Sequence, residues 1–73
     1  MTQSTPLLSI IVPVKDEEEA VGPFVARVAP ILTGICGPDW EILFIDDGST
    51  DATMAAIIVA NQAEPRIRAA SLS

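Results

Sequence analysis

At 73 residues the chain falls short of the roughly 100–150 residues of a common domain, and a chain this short buries only about 60% of the surface its unfolded form exposes. Hydrophobic residues make up 49% and charged residues 19%, the balance of a packed core and not of a disordered tail. A formal charge of −6, with the four basic residues Lys15, Arg27, Arg66 and Arg68 scattered, excludes the clustered cationic surface that nucleic acid requires, and a lone cysteine with no histidine excludes an internal disulfide and a His-based zinc site.

Residues 1–6 read as a disordered N-terminus; they have neither the positive region nor the apolar region of a signal peptide. From Leu7 to Val14 the chain is almost entirely β-branched or aliphatic, as in a strand covered on both faces by helices. Lys15–Glu19 then turns to charge, and Asp16 with Glu19 three residues on matches a capping box that opens a helix, with Gly22-Pro23 as a second start signal. Val21, Phe24, Val25, Val28, Ile31 and Leu32 recur at spacings of three and four, one apolar stripe for packing on a sheet. Pro30 inside that stripe predicts a kink or an early end, and Gly34, Gly37 and Pro38 predict the loop that follows.

Trp40–Ile45 reads as a second apolar strand, parallel to the first across a strand–helix–strand crossover. Asp46–Asp51 forms a polar loop in which Ser49, Thr50 and Asp51 are N-cap types. Met54, Ile57 and Ile58 predict the buried side of a second helix, Pro65 ends it, and Arg66–Ser73 alternates as a third strand. The order is β-α-β-α-β, an α/β fold forming half of a doubly wound parallel sheet. In such sheets ligands bind at the carboxyl ends of the strands, where both polar clusters lie. No apolar run reaches the roughly 18–20 residues that span a bilayer, so no transmembrane segment and a cytoplasmic location are expected.

Asp46 and Asp47 place two adjacent carboxylates at the end of a buried strand, followed by Gly48, which permits a sharp turn or a close backbone approach. Such carboxylates accept hydrogen bonds from a base N–H or a ribose hydroxyl. Asp51 and Ser49 are explained more simply as helix caps, and Glu18 and Glu19 as acids that offset a helix dipole. Glu17 and the backbone around Pro13 stand nearer the strand end, although a proline there is also explained by its inability to extend sheet pairing.

Ser9-Ile10-Ile11-Val12-Pro13-Val14-Lys15-Asp16-Glu17-Glu18 and Glu41-Ile42-Leu43-Phe44-Ile45-Asp46-Asp47-Gly48-Ser49-Thr50-Asp51 are similar to the two opening motifs of the family-two inverting glycosyltransferases. The nearest branch resembles dolichol-phosphate mannose synthase and the bacterial polyprenyl-phosphate sugar transferases. The resemblance implies a GT-A, Rossmann-like nucleotide-binding half, incomplete and spanning residues 7–73. It places Pro13, Lys15, Glu17, Asp46 and Asp47 at the nucleotide. The implied partners are a nucleoside diphosphate sugar and a polyprenyl phosphate acceptor, and the complete protein would act at the cytoplasmic face of the membrane. Lys15 stands where the family usually has tyrosine and Asp16 where it has asparagine, so an aromatic stacking surface for the base is missing. The family's metal-binding Asp-x-Asp motif and its catalytic base belong further along the chain. No catalytic or metal-binding residue is therefore assigned here, Mg2+ or Mn2+ is expected only in the complete enzyme, and the piece alone is expected to be inactive.

Three other readings compete. A phospho-receiver module also binds magnesium at an acidic pair on a strand end, but carries that pair after its first strand. A calcium loop would use Asp47, Ser49 and Asp51, yet Ala52 stands where glycine is required and Ile58 where a bidentate glutamate is required. The third is a non-catalytic remnant held by association with another chain, a homo-oligomer included.

Overall fold

A computed structural model describes residues 8–72; the disordered start expected for residues 1–6, Leu7 of the first strand and Ser73 of the third lie outside them. The elements are β1 (Leu8–Val14), α1 (Glu18–Cys36), β2 (Trp40–Asp46), α2 (Thr53–Ala63) and β3 (Ile67–Ser71). The three strands form one parallel sheet in the order β1-β2-β3. Its register sets Val14 opposite Asp46 and Asp46 opposite Ser71. The carboxyl ends of all three strands are therefore level, and the acidic pair stands at the middle of that rim.

The core lies between the sheet and the two helices. Trp40, Ile42 and Phe44 of β2 are buried with Val14, Val21, Leu32, Ile57 and Ile67, the period-two face of a strand meeting one stripe of each helix. Phe24 of α1 meets Phe44 edge-on at 5.9 Å between ring centroids, a favoured aromatic geometry. At the amino ends of the strands, Arg66 is clamped by Glu64, lies 4.2 Å from the Trp40 ring centroid and donates to the Pro38 carbonyl. The Trp40 indole N–H also donates to Thr33. This bracing holds the end of the sheet opposite the acidic rim.

Four details of the sequence reading are corrected. Among the described residues helices cover one face of the sheet only; Ser9, Ile11 and Pro13 on the other face of β1 are exposed, because strands added in one direction put successive crossover helices on the same side. That open face carries a polar ladder, in which Ser9 donates to Glu41 at 2.7 Å and Arg68 lies 3.6 Å from the same carboxylate. Next, α1 runs through Pro30 and Gly34 to Cys36, so the loop begins only at Gly37, whose positive φ of 61° is a conformation that glycine adopts without steric cost. Third, Ile31 and Ile58 are more than half exposed, because α1 and α2 each turn a narrower stripe to the sheet than their apolar content suggests. Fourth, by length and composition α1 is long and apolar enough to cross a membrane; here its inner residues pack on the sheet.

The one-sided core gives a first prediction. Ile42→Ala, at a fully buried position, should cost about 2–5 kcal/mol in denaturant melts, and Ile11→Ala, 57% exposed, no more than about 0.5 kcal/mol. Equal losses would mean that the open face is covered in solution.

Candidate functional site

The two loops at the carboxyl rim are tied into one body. Backbone amides at the start of a helix have no partner within it, and here the amides leading into α1 are taken by side chains from the loop after β2 and from Thr53, the first residue of α2. Asp16 N–H donates to Ser49 Oγ at 2.9 Å, Glu17 N–H to Thr53 Oγ1 at 2.8 Å and Glu18 N–H to Asp51 Oδ2 at 3.4 Å. The second loop is held in return: Thr50 donates to Asp16 Oδ1 from its backbone N–H at 2.7 Å and from its hydroxyl at 3.2 Å. Ala52 N–H reaches Glu18 Oε1 at 3.3 Å, and Asp47 N–H extends the sheet ladder to the Val14 carbonyl at 3.1 Å.

The hydroxyls work in both directions. Ser49 donates to Asp46 Oδ1 while accepting from Asp16, and Thr53 donates to Asp51 Oδ1 while accepting from Glu17. Each carboxylate orients a hydroxyl oxygen toward an amide of the other loop, so the bonds are mutually polarised. Ser49 N–H also donates to Asp46 Oδ1 at 3.1 Å, closing a tight turn around Gly48, whose φ of 72° is the left-handed region that glycine enters without steric cost.

Asp16 does not cap α1. It has a φ of 54°, the only positive value of a non-glycine among the described residues, and α1 begins at Glu18 behind a Glu17 that makes no side-chain cap bond. Likewise Ala52 is the residue before α2, yet Asp51 Oδ1 accepts the Thr53 N–H at 2.9 Å. Asp51 thus serves the first turn of α2 and, through its other oxygen, that of α1. The negative charge is favourable at both helix starts.

The five residues expected at a nucleotide are brought to one rim, in two states. Asp46 is buried, with Oδ1 committed to Ser49. Pro13, Lys15, Glu17 and Asp47 are exposed, and the side chains of the last three make no hydrogen bond or ion pair with any described residue. Pro13 sits within β1 opposite Ile45, on an edge strand where its missing N–H is harmless. Beside it an apolar recess is lined by Val12, Pro13, Val14, Val21, Phe24 and Phe44, with Glu17 at its mouth. Sequence reasoning missed the cross-loop roles of Asp16 and Thr53. Ser, Thr and Asp announce capping, but not that the capped amides lie 33 to 36 residues away. Among the described residues no three His, Cys, Asp or Glu side chains are grouped to hold a metal ion.

A three-stranded parallel sheet with both crossover helices on one face and an acidic turn at its central carboxyl end defines a Rossmann-like α/β protein, a class in which ligands bind at that end of the sheet. Residues 9–72 match the family model for glycosyl transferase family 2, and the chain belongs to that family. It is similar to a dodecaprenyl-phosphate galacturonate synthase of Rhizobium johnstonii, 49% identical over 47 residues that cover 64% of this chain and 14% of that protein. In fold it resembles the mannosyltransferase PcManGT from Pyrobaculum calidifontis, solved in complex with GDP-Man and Mn2+, with a TM-score of 0.73 at 19% identity over 94% of this chain and 19% of that one. The chain thus spans a small part of the length of both. The family assignment disfavours the phospho-receiver alternative.

The linkage through Asp51 predicts an acid sensitivity. Its carboxyl is held below the ordinary 3.8, first by the Thr53 hydroxyl, with the Thr53 and Glu18 amides adding to it and burial opposing it. A depressed carboxyl contributes stability that is complete above its unfolded value and is lost as pH falls through its folded one. The melting temperature should therefore drop below about pH 4, and Asp51→Asn should remove part of that drop; identical acid profiles for the two proteins would contradict the assignment.

Proposed function

We propose that this chain supplies the base- and ribose-holding part of a glycosyltransferase that uses a nucleoside diphosphate sugar. The observation that carries the reading is the state of Asp47: an exposed carboxylate with no partner among the described residues, its backbone bonded to the end of β1, at the centre of the rim. A carboxylate so presented accepts hydrogen bonds from a ring N–H or from ribose hydroxyls. Asp46 contributes by shaping the turn, and Pro13, Lys15 and Glu17, exposed at the end of β1 on the same rim, are the further residues assigned to the nucleotide.

The charge of the rim limits what it can hold. Asp16, Glu17, Glu18, Glu19 and Asp51 line one open groove, with Lys15 the one cation in that loop, so a diphosphate would meet repulsion there. The described residues therefore serve the nucleoside end. Charge developing on the diphosphate leaving group needs a cation, Mg2+ or Mn2+ by family, held by residues beyond those described; when bound, it stabilises the departing diphosphate. The transfer is then from the nucleoside diphosphate sugar to a polyprenyl phosphate, a reading supported by the dodecaprenyl-phosphate relative. The site of action would be the cytoplasmic face of the membrane, where such a lipid phosphate meets a soluble donor.

Asp47→Asn should weaken nucleoside diphosphate binding about 10- to 150-fold, the equivalent of a lost charge-assisted hydrogen bond of about 1.5–3 kcal/mol, with no fall in melting temperature. Calorimetric titration of the complete protein with UDP and GDP in the presence of Mn2+ tests this, and unchanged affinity in a folded variant removes Asp47 from the site. With labelled nucleotide sugars and a polyprenyl phosphate, the complete protein should form a lipid-linked product and the 73-residue chain should form none.

A further inference from the structure

We infer that Asp16 is a positioning residue for nucleotide binding: without touching the nucleotide, it holds the turn after β2 in the shape that presents Asp47. The inference rests on the nucleotide-binding reading above and adds a role for a side chain which that reading leaves unused.

The geometry is a closed ring across the two loops. From Asp46 Oδ1 the chain of hydrogen bonds runs to the Ser49 hydroxyl, from Ser49 Oγ to the Asp16 N–H, and from Asp16 Oδ1 back to the Thr50 N–H and hydroxyl. Asp47 and Gly48 are the two residues enclosed between the anchored Asp46 and the anchored Ser49. Asp16 can reach Ser49 and Thr50 at once because it adopts the left-handed conformation, with φ 54°, which aspartate and asparagine tolerate better than other side chains. Its carboxylate meets only neutral donors, both from Thr50. The ring therefore needs an acceptor oxygen and a left-handed backbone at position 16, and no negative charge.

A loop whose binding-competent shape is populated only part of the time binds more weakly by that fraction. Asp16→Gly keeps the left-handed backbone and removes the acceptor of both Thr50 bonds, so it should weaken UDP or GDP binding to the complete protein, with Mn2+ present, about tenfold, the scale of one or two lost ordinary hydrogen bonds. It should also speed amide exchange at Ser49 and Thr50. Asp16→Asn keeps acceptor and backbone and should restore both to within about twofold of the starting protein. If the glycine variant loses its cooperative melt, Ser49→Ala, which cuts the ring on its other side, is judged by the same two readouts.

A glycine variant that binds as tightly as the parent overturns the inference. So does an asparagine variant as weak as the glycine one, since that would make the charge itself a ligand contact. A parent protein that binds neither nucleotide removes the nucleotide reading and this inference with it, whereas a parent that binds alongside an unaffected glycine variant removes this inference alone.

Discussion

Three consecutive backbone amides, those of Asp16, Glu17 and Glu18, lead into α1 with no acceptor of their own inside the helix, and all three are taken by oxygens of Ser49, Thr53 and Asp51. Backbone polar groups cannot be left unpaired cheaply, so this demand ties the end of β1 to the loop after β2. Once that tie is made, much else is constrained. The register that sets Val14 opposite Asp46 brings the loops within hydrogen-bond reach, and the Thr50 and Ala52 amides then find acceptors in Asp16 and Glu18. Among the described residues of this rim, the side chains of Lys15, Glu17, Glu19 and Asp47 are left without a hydrogen bond or ion pair, on the outer surface of the joined loops.

The same arrangement accounts for a concentration of acids that would otherwise be costly. Asp16, Glu18, Asp46 and Asp51 each accept hydrogen bonds, and two helices start at this rim with their positive ends. Carboxylates are thereby stabilised without cations, which explains how a segment with so few basic residues folds around an acidic centre. It also separates labour along the motif. Asp46, Ser49, Asp51 and Thr53 are occupied by the fold, and Asp47 is not. Bracing at the far end, where Arg66 stacks on Trp40 between Glu64 and the Pro38 carbonyl, leaves the rim as the part of the sheet with chemistry to spare.

The α/β alternation and the parallel sheet were legible because the two apolar strands are unmistakable and the Asp-Asp-Gly turn falls where a strand must end. Less legible was anything that depends on contacts between distant segments. Pro30 reads locally as a break, yet α1 continues because the sheet below it buries Val21 and Leu32 on either side of the proline. Asp16 and Glu19 read locally as a capping box, yet Asp16 bonds a residue 34 positions away. Ile31 and Ile58 fit the apolar periodicity, yet α1 and α2 pack on one face of a sheet only three strands wide and leave them exposed. The candidate residues are suggested by the motif alone, whereas the division between Asp46, whose side chain is occupied, and Asp47, whose side chain has no partner among the described residues, becomes visible only once the turn around Gly48 is built.

The central claim is that the carboxyl rim is the binding face, and amide exchange of the complete protein with and without saturating UDP or GDP, Mn2+ present throughout, tests it directly. Slowed exchange at residues 13–19 and 46–53, with no change at the braced end near Trp40 and Arg66, is the result this account predicts. Protection at the braced end, or none at either rim loop, would contradict it.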